Sequence, residues 1–76
     1  MKVIFSEHAK LKLAQRNIAK RKVIETLRKP DMMVKTSSDR RIAYKQFNKL
    51  FLKVVFKEEK NDVVVITSRW DEEFKL

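Results

Sequence analysis

The sequence predicts an α+β fold in which two N-terminal helices pack on a four-stranded antiparallel sheet. The spacing of apolar residues changes from near 3.6 before Pro30 to 2 after it, which indicates helices followed by strands. Short polar segments separate the later apolar runs, as hairpin connections do. The chain has 76 residues and no shift in composition, so one domain over residues 1–76 is expected.

The N-terminal part carries the helix signals. Residues 2–5 are β-branched and aromatic, which predicts a short strand before the first helix. Ser6 is a favourable N-cap for a helix that extends to about residue 16. Asn17 follows at a position where helices often end in the left-handed conformation. A second helix is predicted over about residues 19–28, and the proline after it prevents its continuation.

Four strands are predicted after the second helix. The last has four consecutive apolar residues, which indicates a central place in the sheet. An acidic tail, residues 71–76, either folds over the basic part of the protein or frays. The predicted strands span residues 32–35, 40–47, 50–57 and 63–70, with a polar turn at 36–39.

Side-chain alternation divides the predicted sheet into two faces. The helix-packing face is expected to hold Tyr44, Leu52, Val54, Ile66 and Trp70, although Trp70 is alternatively a stacking residue. Basic and small apolar side chains on the second face are typical of a surface that follows a nucleic-acid backbone. Lysine stems over a half-buried sheet would produce the same pattern. The second face is predicted to include Arg41, Lys45, Phe47, Phe51, Lys53, Thr67 and Arg69.

The net charge of +9 is concentrated in one part of the chain. Residues 8–53 carry a net +11, whereas residues 54–76 carry −2. Such a field attracts polyanions, so a nucleic acid is the expected partner. Surface charge that serves only solubility and an anionic membrane are the alternatives. No apolar run approaches the roughly 18 residues of a membrane span, and the N-terminus lacks the apolar core of a secretory signal, so a cytoplasmic location is expected.

Composition also restricts the chemistry. The absence of cysteine excludes disulfides, thiolate zinc sites and iron–sulfur clusters, and the absence of glycine excludes a P-loop. The single histidine and the carboxylates lack the spacing of a ligand set, so no metal or other cofactor is expected. If the protein cleaves RNA, the 2′-hydroxyl would attack the adjacent phosphate while cations stabilise the charged transition state.

Five residues are the candidates for such chemistry. His8, Lys12 and Arg16 follow one another at four-residue intervals, so they form a row on the first helix. The histidine could exchange protons while the two cations hold a phosphate, or it is a lone histidine with a satisfied hydrogen bond. Tyr44 is either a secondary proton donor or a core residue, and Arg69 is a candidate clamp for the transition state.

The order of several short motifs resembles a family of small prokaryotic domains of unknown function. A His-Ala pair is followed by a basic residue, by Arg16-Asn17-Ile18 and by a second helix that ends near Pro30. Two positions depart from the family pattern, since Asn17 replaces a usual glycine and Lys12 a commoner arginine. The resemblance covers nearly the whole chain and is carried by residues 5–9, 12–13, 16–18, 23, 27, 29–31, 41–45, 52–56 and 63–67.

That family is usually grouped with RelE/ParE-like toxins and with the barnase–EndoU–colicin–RelE ribonuclease fold. The resemblance therefore implies two helices on a four-stranded antiparallel sheet. It also implies metal-independent cleavage of RNA, or of ribosome-bound mRNA, and an acidic antitoxin partner. Carried over by position, the candidate residues are His8, Arg16, Thr67 and Arg69.

Two functions follow from these observations. The first is a toxin-like ribonuclease with His8 as general base or acid, Arg16 and Lys12 as phosphate ligands, and Tyr44 and Arg69 in support. The second is a non-catalytic nucleic-acid-binding module that uses the basic sheet face. An interaction domain for an acidic protein is a third. The sequence leaves the RNA substrate and the oligomeric state open.

Overall fold

The computed structural model describes residues 2–37 and 39–72, which form two helices and five strands. This confirms the predicted α+β class and the order of the elements. Asp71 belongs to the last strand, and the rest of the predicted acidic tail from residue 73 lies outside the described residues. The elements are β1 (Val3–Phe5), α1 (Glu7–Arg16), α2 (Lys20–Arg28), β2 (Met32–Lys35), β3 (Arg41–Phe47), β4 (Leu50–Glu59) and β5 (Asp62–Asp71).

The sheet is mixed and has five strands in the order β1-β5-β4-β3-β2. This corrects the predicted four-stranded antiparallel sheet: β2 to β5 are antiparallel neighbours, but β1 is a fifth strand that pairs with β5 in parallel. The Val63 N–H donates to the carbonyl oxygen of Lys2 at 2.9 Å, and the Ser6 N–H to that of Val65 at 3.3 Å. Local periodicity cannot show this pair, because its strands lie at opposite ends of the chain and the helices determine their direction.

The ends of α1 are determined by its capping residues. The Ser6 hydroxyl accepts a hydrogen bond from the Ala9 N–H at 3.0 Å, as expected for an N-cap. Asn17 adopts the predicted left-handed conformation, with φ 55°. The Ile18 N–H donates to the Leu13 carbonyl oxygen at 3.0 Å, and both side chains are buried, which together form a Schellman motif. The helix therefore ends at a fixed residue, Arg16.

The core lies between the two helices and one face of the sheet. Helix α1 buries Ala9 and Leu13 there, and α2 buries Val23 and Thr26. The Thr26 hydroxyl is satisfied by the Lys22 carbonyl oxygen at 2.7 Å. Neither described helix is long and apolar enough to cross a membrane. The sheet contributes Ala43, Leu52, Val54, Phe56, Val63 and Val65 to the core.

The two-residue turn after β3 fixes the register between β3 and β4. Ala43 lies opposite Val54, and Tyr44 lies opposite Lys53. Residues opposite each other share a face, so Ala43 faces the helices while Tyr44 shares the other face with Lys53. This corrects the face assignment from alternation, which placed Tyr44 with Val54. We call the face of the sheet opposite the helices the open face.

A β-bulge interrupts the pairing of β4 with β5. Val55 lies opposite Thr67, but Phe56 lies opposite Val65, so Ile66 is the extra residue. Side-chain alternation is reversed by the extra residue: odd-numbered residues of β5 face the helices before the bulge and the open face after it. Trp70 consequently lies on the helix side and packs against the core, while Thr67 lies on the open face.

Candidate functional site

The second half of β5 forms a sheet edge. Strand β1 ends at Phe5, opposite Val65, because Ser6 already begins α1. Among the described residues, no strand pairs with the outer side of β5 beyond that point. Backbone groups at such an edge are available to other donors and acceptors. We call residues 62–65 the paired half of β5 and residues 66–71 its free half.

Arg16 reaches this edge from the last turn of α1. Its Nη1 donates to the carbonyl oxygen of Ser68 at 2.8 Å and, more weakly, to the hydroxyl of Thr67 at 3.4 Å. The Schellman motif fixes the end of the helix, and the free half of β5 supplies the acceptor. Arg16 is therefore held on the sheet edge rather than extended into solvent, and its side chain is half-buried.

A row of three polar side chains crosses the open face beside Arg16. Tyr44, Lys53 and Arg69 lie opposite one another on β3, β4 and β5. Lys53 has no hydrogen-bond or ion-pair partner among the described residues. Arg69 Nε pairs with Asp71 Oδ1 at 3.0 Å. Two cations of this row are thus close to the guanidinium of Arg16.

These cations line one small cleft, which we call the three-cation cleft. Arg16, Lys53 and Arg69 supply its charge, and its volume is about 160 Å³. At about 30 Å³ for each water, a cleft of that size has room for a hydrated anion. Because the described residues of its lining include three cations and no carboxylate, its field attracts anions. Val55, Thr67 and Ser68 complete the lining.

A second cleft of about 490 Å³ adjoins the first. It shares Arg16 and Arg69 and adds Trp70 and Asp71. Only 13% of the Asp71 side chain is exposed, and its buried Oδ2 has no hydrogen-bond partner in the part of the chain that the structure describes. A carboxylate in this position orients Arg69 through Nε and leaves the Nη groups of the guanidinium for a ligand.

Tyr44 lies at the inner end of the row and is 1% exposed. Burial raises the pKa of its hydroxyl, the negative charge of Asp71 raises it further, and Arg69 acts in the opposite direction. The hydroxyl therefore remains protonated at neutral pH. A protonated hydroxyl cannot act as a base, and Tyr44 is not among the residues that line the two clefts.

One protein family matches most of the chain. The model of the family described as "Domain of unknown function (DUF4258)" matches residues 5–68. The chain belongs to this family. The match includes Arg16, Lys53 and Thr67 of the three-cation cleft and ends one residue before Arg69. A search of curated proteins and a search of solved structures each gave no match.

The predicted helix row of this DUF4258 domain does not converge on the cleft. Only Arg16 reaches it. His8 is exposed near the first residue of α1, about 12 Å from Arg16 along the helix axis. Lys12 is half-buried between them, and neither residue lines the two clefts described above. The hypothesis that His8 exchanges protons with a phosphate bound by Arg16 therefore lacks geometric support.

The basic residues of the predicted sheet face are also divided. Arg41 faces the helix side and pairs with Glu58 at 2.8 Å. Lys45 donates to the carbonyl oxygen of Lys29 at 2.9 Å, beyond the last residue of α2, which is a helix-capping contact. Phe51 is on the open face, opposite Asp71. Of the predicted sheet residues, Lys53, Thr67 and Arg69 are the ones that line the three-cation cleft of the DUF4258 domain.

Sequence reasoning missed two parts of the site, Ser68 and Asp71, and left two alternatives for Trp70. Ser68 provides the carbonyl oxygen that holds Arg16, and its buried hydroxyl has no hydrogen-bond partner within residues 2–37 and 39–72. Asp71 was assigned to the tail, yet it orients Arg69. Trp70 connects the site to the helix side of the sheet. A two-residue turn between β3 and β4 places even-numbered residues of β3 opposite odd-numbered residues of β4, and this rule predicts that Tyr44 lies opposite Lys53. No local pattern predicts the bulge.

Proposed function

We propose that this DUF4258 domain binds RNA and that a phosphodiester group occupies the three-cation cleft. One observation supports the proposal most: Arg16, Lys53 and Arg69 come from three different elements and line one cleft, and none of the described residues in its lining is acidic. Arginine forks bind phosphate oxygens in pairs, and a lysine adds a point charge. The net charge of +9 adds attraction at long range.

The choice of RNA rests on the resemblance to RelE/ParE-like toxins and to their ribonuclease fold. Two helices followed by the antiparallel strands β2 to β5 agree with the architecture that this resemblance implies. A solubility function for the positive charge requires no cleft and no inward-directed cations. A binding site for a phosphate backbone requires both.

The test compares the three cleft cations with two exposed cations elsewhere. The affinity for a labelled single-stranded RNA is measured by fluorescence anisotropy across a salt series. Arg16→Ala, Lys53→Ala and Arg69→Ala should each weaken binding about tenfold and reduce the log–log salt slope by about one. Arg28→Ala and Lys35→Ala remove the same charge outside the cleft and should have much smaller effects.

Equal losses for all five variants would show that only overall charge matters, and would contradict a cleft-based site. Binding that ignores salt would contradict phosphate recognition altogether. Arg16→Ala also removes the hydrogen bond to Ser68, so Arg16→Lys and an unfolding curve for each variant separate lost charge from lost structure.

Cleavage of the bound RNA is a second candidate, and the three cations that line one cleft favour it. The 2′-hydroxyl would attack the adjacent phosphorus and lose its proton to water, and the 5′-oxygen would leave with a proton taken from water. The products are a 2′,3′-cyclic phosphate and a 5′-hydroxyl. The cations would stabilise the pentacoordinate transition state. A toxin of this type would require an acidic antitoxin protein as partner.

Incubation of labelled RNA with the protein and a metal chelator tests this second candidate. Arg69→Ala should lower the rate at least tenfold, while His8→Ala should leave it unchanged. A loss of activity in His8→Ala alone would instead favour the histidine mechanism. Absence of cleavage, combined with the binding effects above, would leave the protein a binding module.

A further inference from the structure

A mostly apolar hollow lies next to the site, where β3 turns into β4. Its volume is about 590 Å³, and Phe47, Leu50 and Trp70 form its apolar surface. Lys22 of α2 and the turn residues Asn48 and Lys49 provide polar groups at its rim. We call it the aromatic hollow. Leu50 is 37% exposed, so the hollow presents apolar surface that the core does not use.

The two rings of the hollow are held in a fixed arrangement. Phe47 and Trp70 meet edge to face, with ring centroids 6.0 Å apart. The Lys22 ammonium lies 5.4 Å from the centroid of each ring. A cation over aromatic faces at an exposed site gains less than a charge-assisted bond to phosphate offers. Lys22 could therefore move from the rings to an incoming phosphate.

Trp70 connects the hollow to the phosphate site. It lines the aromatic hollow and also the 490 Å³ cleft that contains Arg16 and Arg69. Cations therefore lie on one side of Trp70, and apolar ring surface lies on the other. A nucleotide has a matching arrangement, because its charged phosphate lies next to a flat base with apolar faces.

We propose that the aromatic hollow binds an unpaired base of the RNA whose phosphate occupies the three-cation cleft, an inference that rests on the proposed function. The rings offer stacking surface, Lys22 and Lys49 can neutralise the next phosphate, and the Asn48 amide can hydrogen-bond a base edge. A paired base in a duplex remains stacked on its neighbours and cannot enter. The hollow therefore selects single-stranded RNA.

The chain has one tryptophan, so its fluorescence reports directly on the hollow. The protein is titrated with a single-stranded RNA, with a duplex of the same sequence and with inorganic polyphosphate. The single strand should quench Trp70 because a base stacks beside it. The duplex and polyphosphate should leave the fluorescence unchanged, although polyphosphate should compete with RNA for the cations.

A matched pair of variants provides a second measurement. Phe47→Leu should weaken the binding of single-stranded RNA about tenfold and leave polyphosphate binding unchanged, which also shows that the variant is folded. Phe5→Leu is the matched control. The Phe5 ring also has a lysine ammonium, that of Lys20, 5.4 Å from its centroid, but it lies outside the hollow. This variant should therefore bind RNA normally.

Two outcomes would overturn the inference and are distinguishable. If RNA binding depends on the cleft cations but Trp70 is not quenched and Phe47→Leu binds normally, the hollow takes no base, although the proposed RNA function stands. An apolar side chain of a protein partner would then be the better occupant. If the protein does not bind RNA at all, the proposed function fails first, and this inference fails with it.

Discussion

The two halves of β5 differ in their environment although they belong to one strand. The paired half hydrogen-bonds to β1 on one side and β4 on the other, and its Val63 and Val65 are buried in the core. Among the described residues, only Arg16 lies at the outer edge of the free half, and two buried polar atoms of this half, Ser68 Oγ and Asp71 Oδ2, have no hydrogen-bond partner there. Unsatisfied groups are rare in folded proteins, and here they coincide with the proposed site.

This contrast has a simple origin. Strand β1 is only three residues long because Ser6 begins a helix, so it covers only part of its neighbour. The bulge at Ile66 then reverses the alternation, so that odd-numbered residues of β5 face the helices before it and the open face after it. One part of β5 therefore contributes to stability, and the other is left available for binding.

The largest expected effect compares stability in the two halves. Val65→Ala removes buried apolar volume from the paired half and should lower the free energy of unfolding by about 2 kcal/mol. Thr67→Val, in the free half, loses only a long hydrogen bond from Arg16 and should change the free energy of unfolding by less than about 0.5 kcal/mol. Urea unfolding followed by circular dichroism measures both, and similar losses would contradict the division.

The end of α1 provides the next largest effect, because it positions Arg16 against the free half. Alanine tolerates the left-handed φ of 55° less well than asparagine does. Asn17→Ala should therefore lower the free energy of unfolding by about 1 kcal/mol and weaken RNA binding. Asn17→Gly should retain both properties. The two variants differ only in backbone freedom, so a similar loss in Asn17→Gly would mean that the asparagine amide itself is required.

Ser68→Ala tests whether the free half is optimised for stability. The buried hydroxyl has no hydrogen-bond partner among the residues that the structure describes, so its removal should leave stability unchanged or raise it by up to about 1 kcal/mol. Thermal unfolding gives the sign. A clear loss of stability would reveal a hydrogen bond that the folded protein makes to this hydroxyl, and the comparison between the halves would weaken.

The smallest effect concerns pH and is confined to alkaline conditions. Tyr44 is the only tyrosine, so the near-ultraviolet absorbance of tyrosinate reports its titration alone. Because its pKa is raised in the fold, its contribution to stability is complete below pH ~10 and is lost as the pH rises through the folded pKa. Asp71→Asn should lower this pKa and Arg69→Met should raise it. Shifts in the reverse directions would show that the row is not arranged as described.

Parts of the site followed from the sequence and others did not. Arg16, Lys53, Thr67 and Arg69 were selected as basic or polar residues at periodic positions, and the structure brings these four together. The prediction that Arg41 and Lys45 share a face with Lys53 is wrong. Arg41 and Lys45 lie opposite Phe56 and Leu52, on the helix side of the sheet. A two-residue turn pairs the residues on either side of it, so even numbers on β3 lie opposite odd numbers on β4.

The sequence by itself determined the elements and their ends. The change of hydrophobic period, the Ser6 cap, the left-handed Asn17 and Pro30 are local signals, and each acts within a few residues. Only the tertiary structure decided that β1 is a fifth, parallel strand and that Ile66 forms a bulge. Both features depend on contacts between residues far apart in the chain. They decide where the sheet has a free edge, and thus which cations can surround one anion.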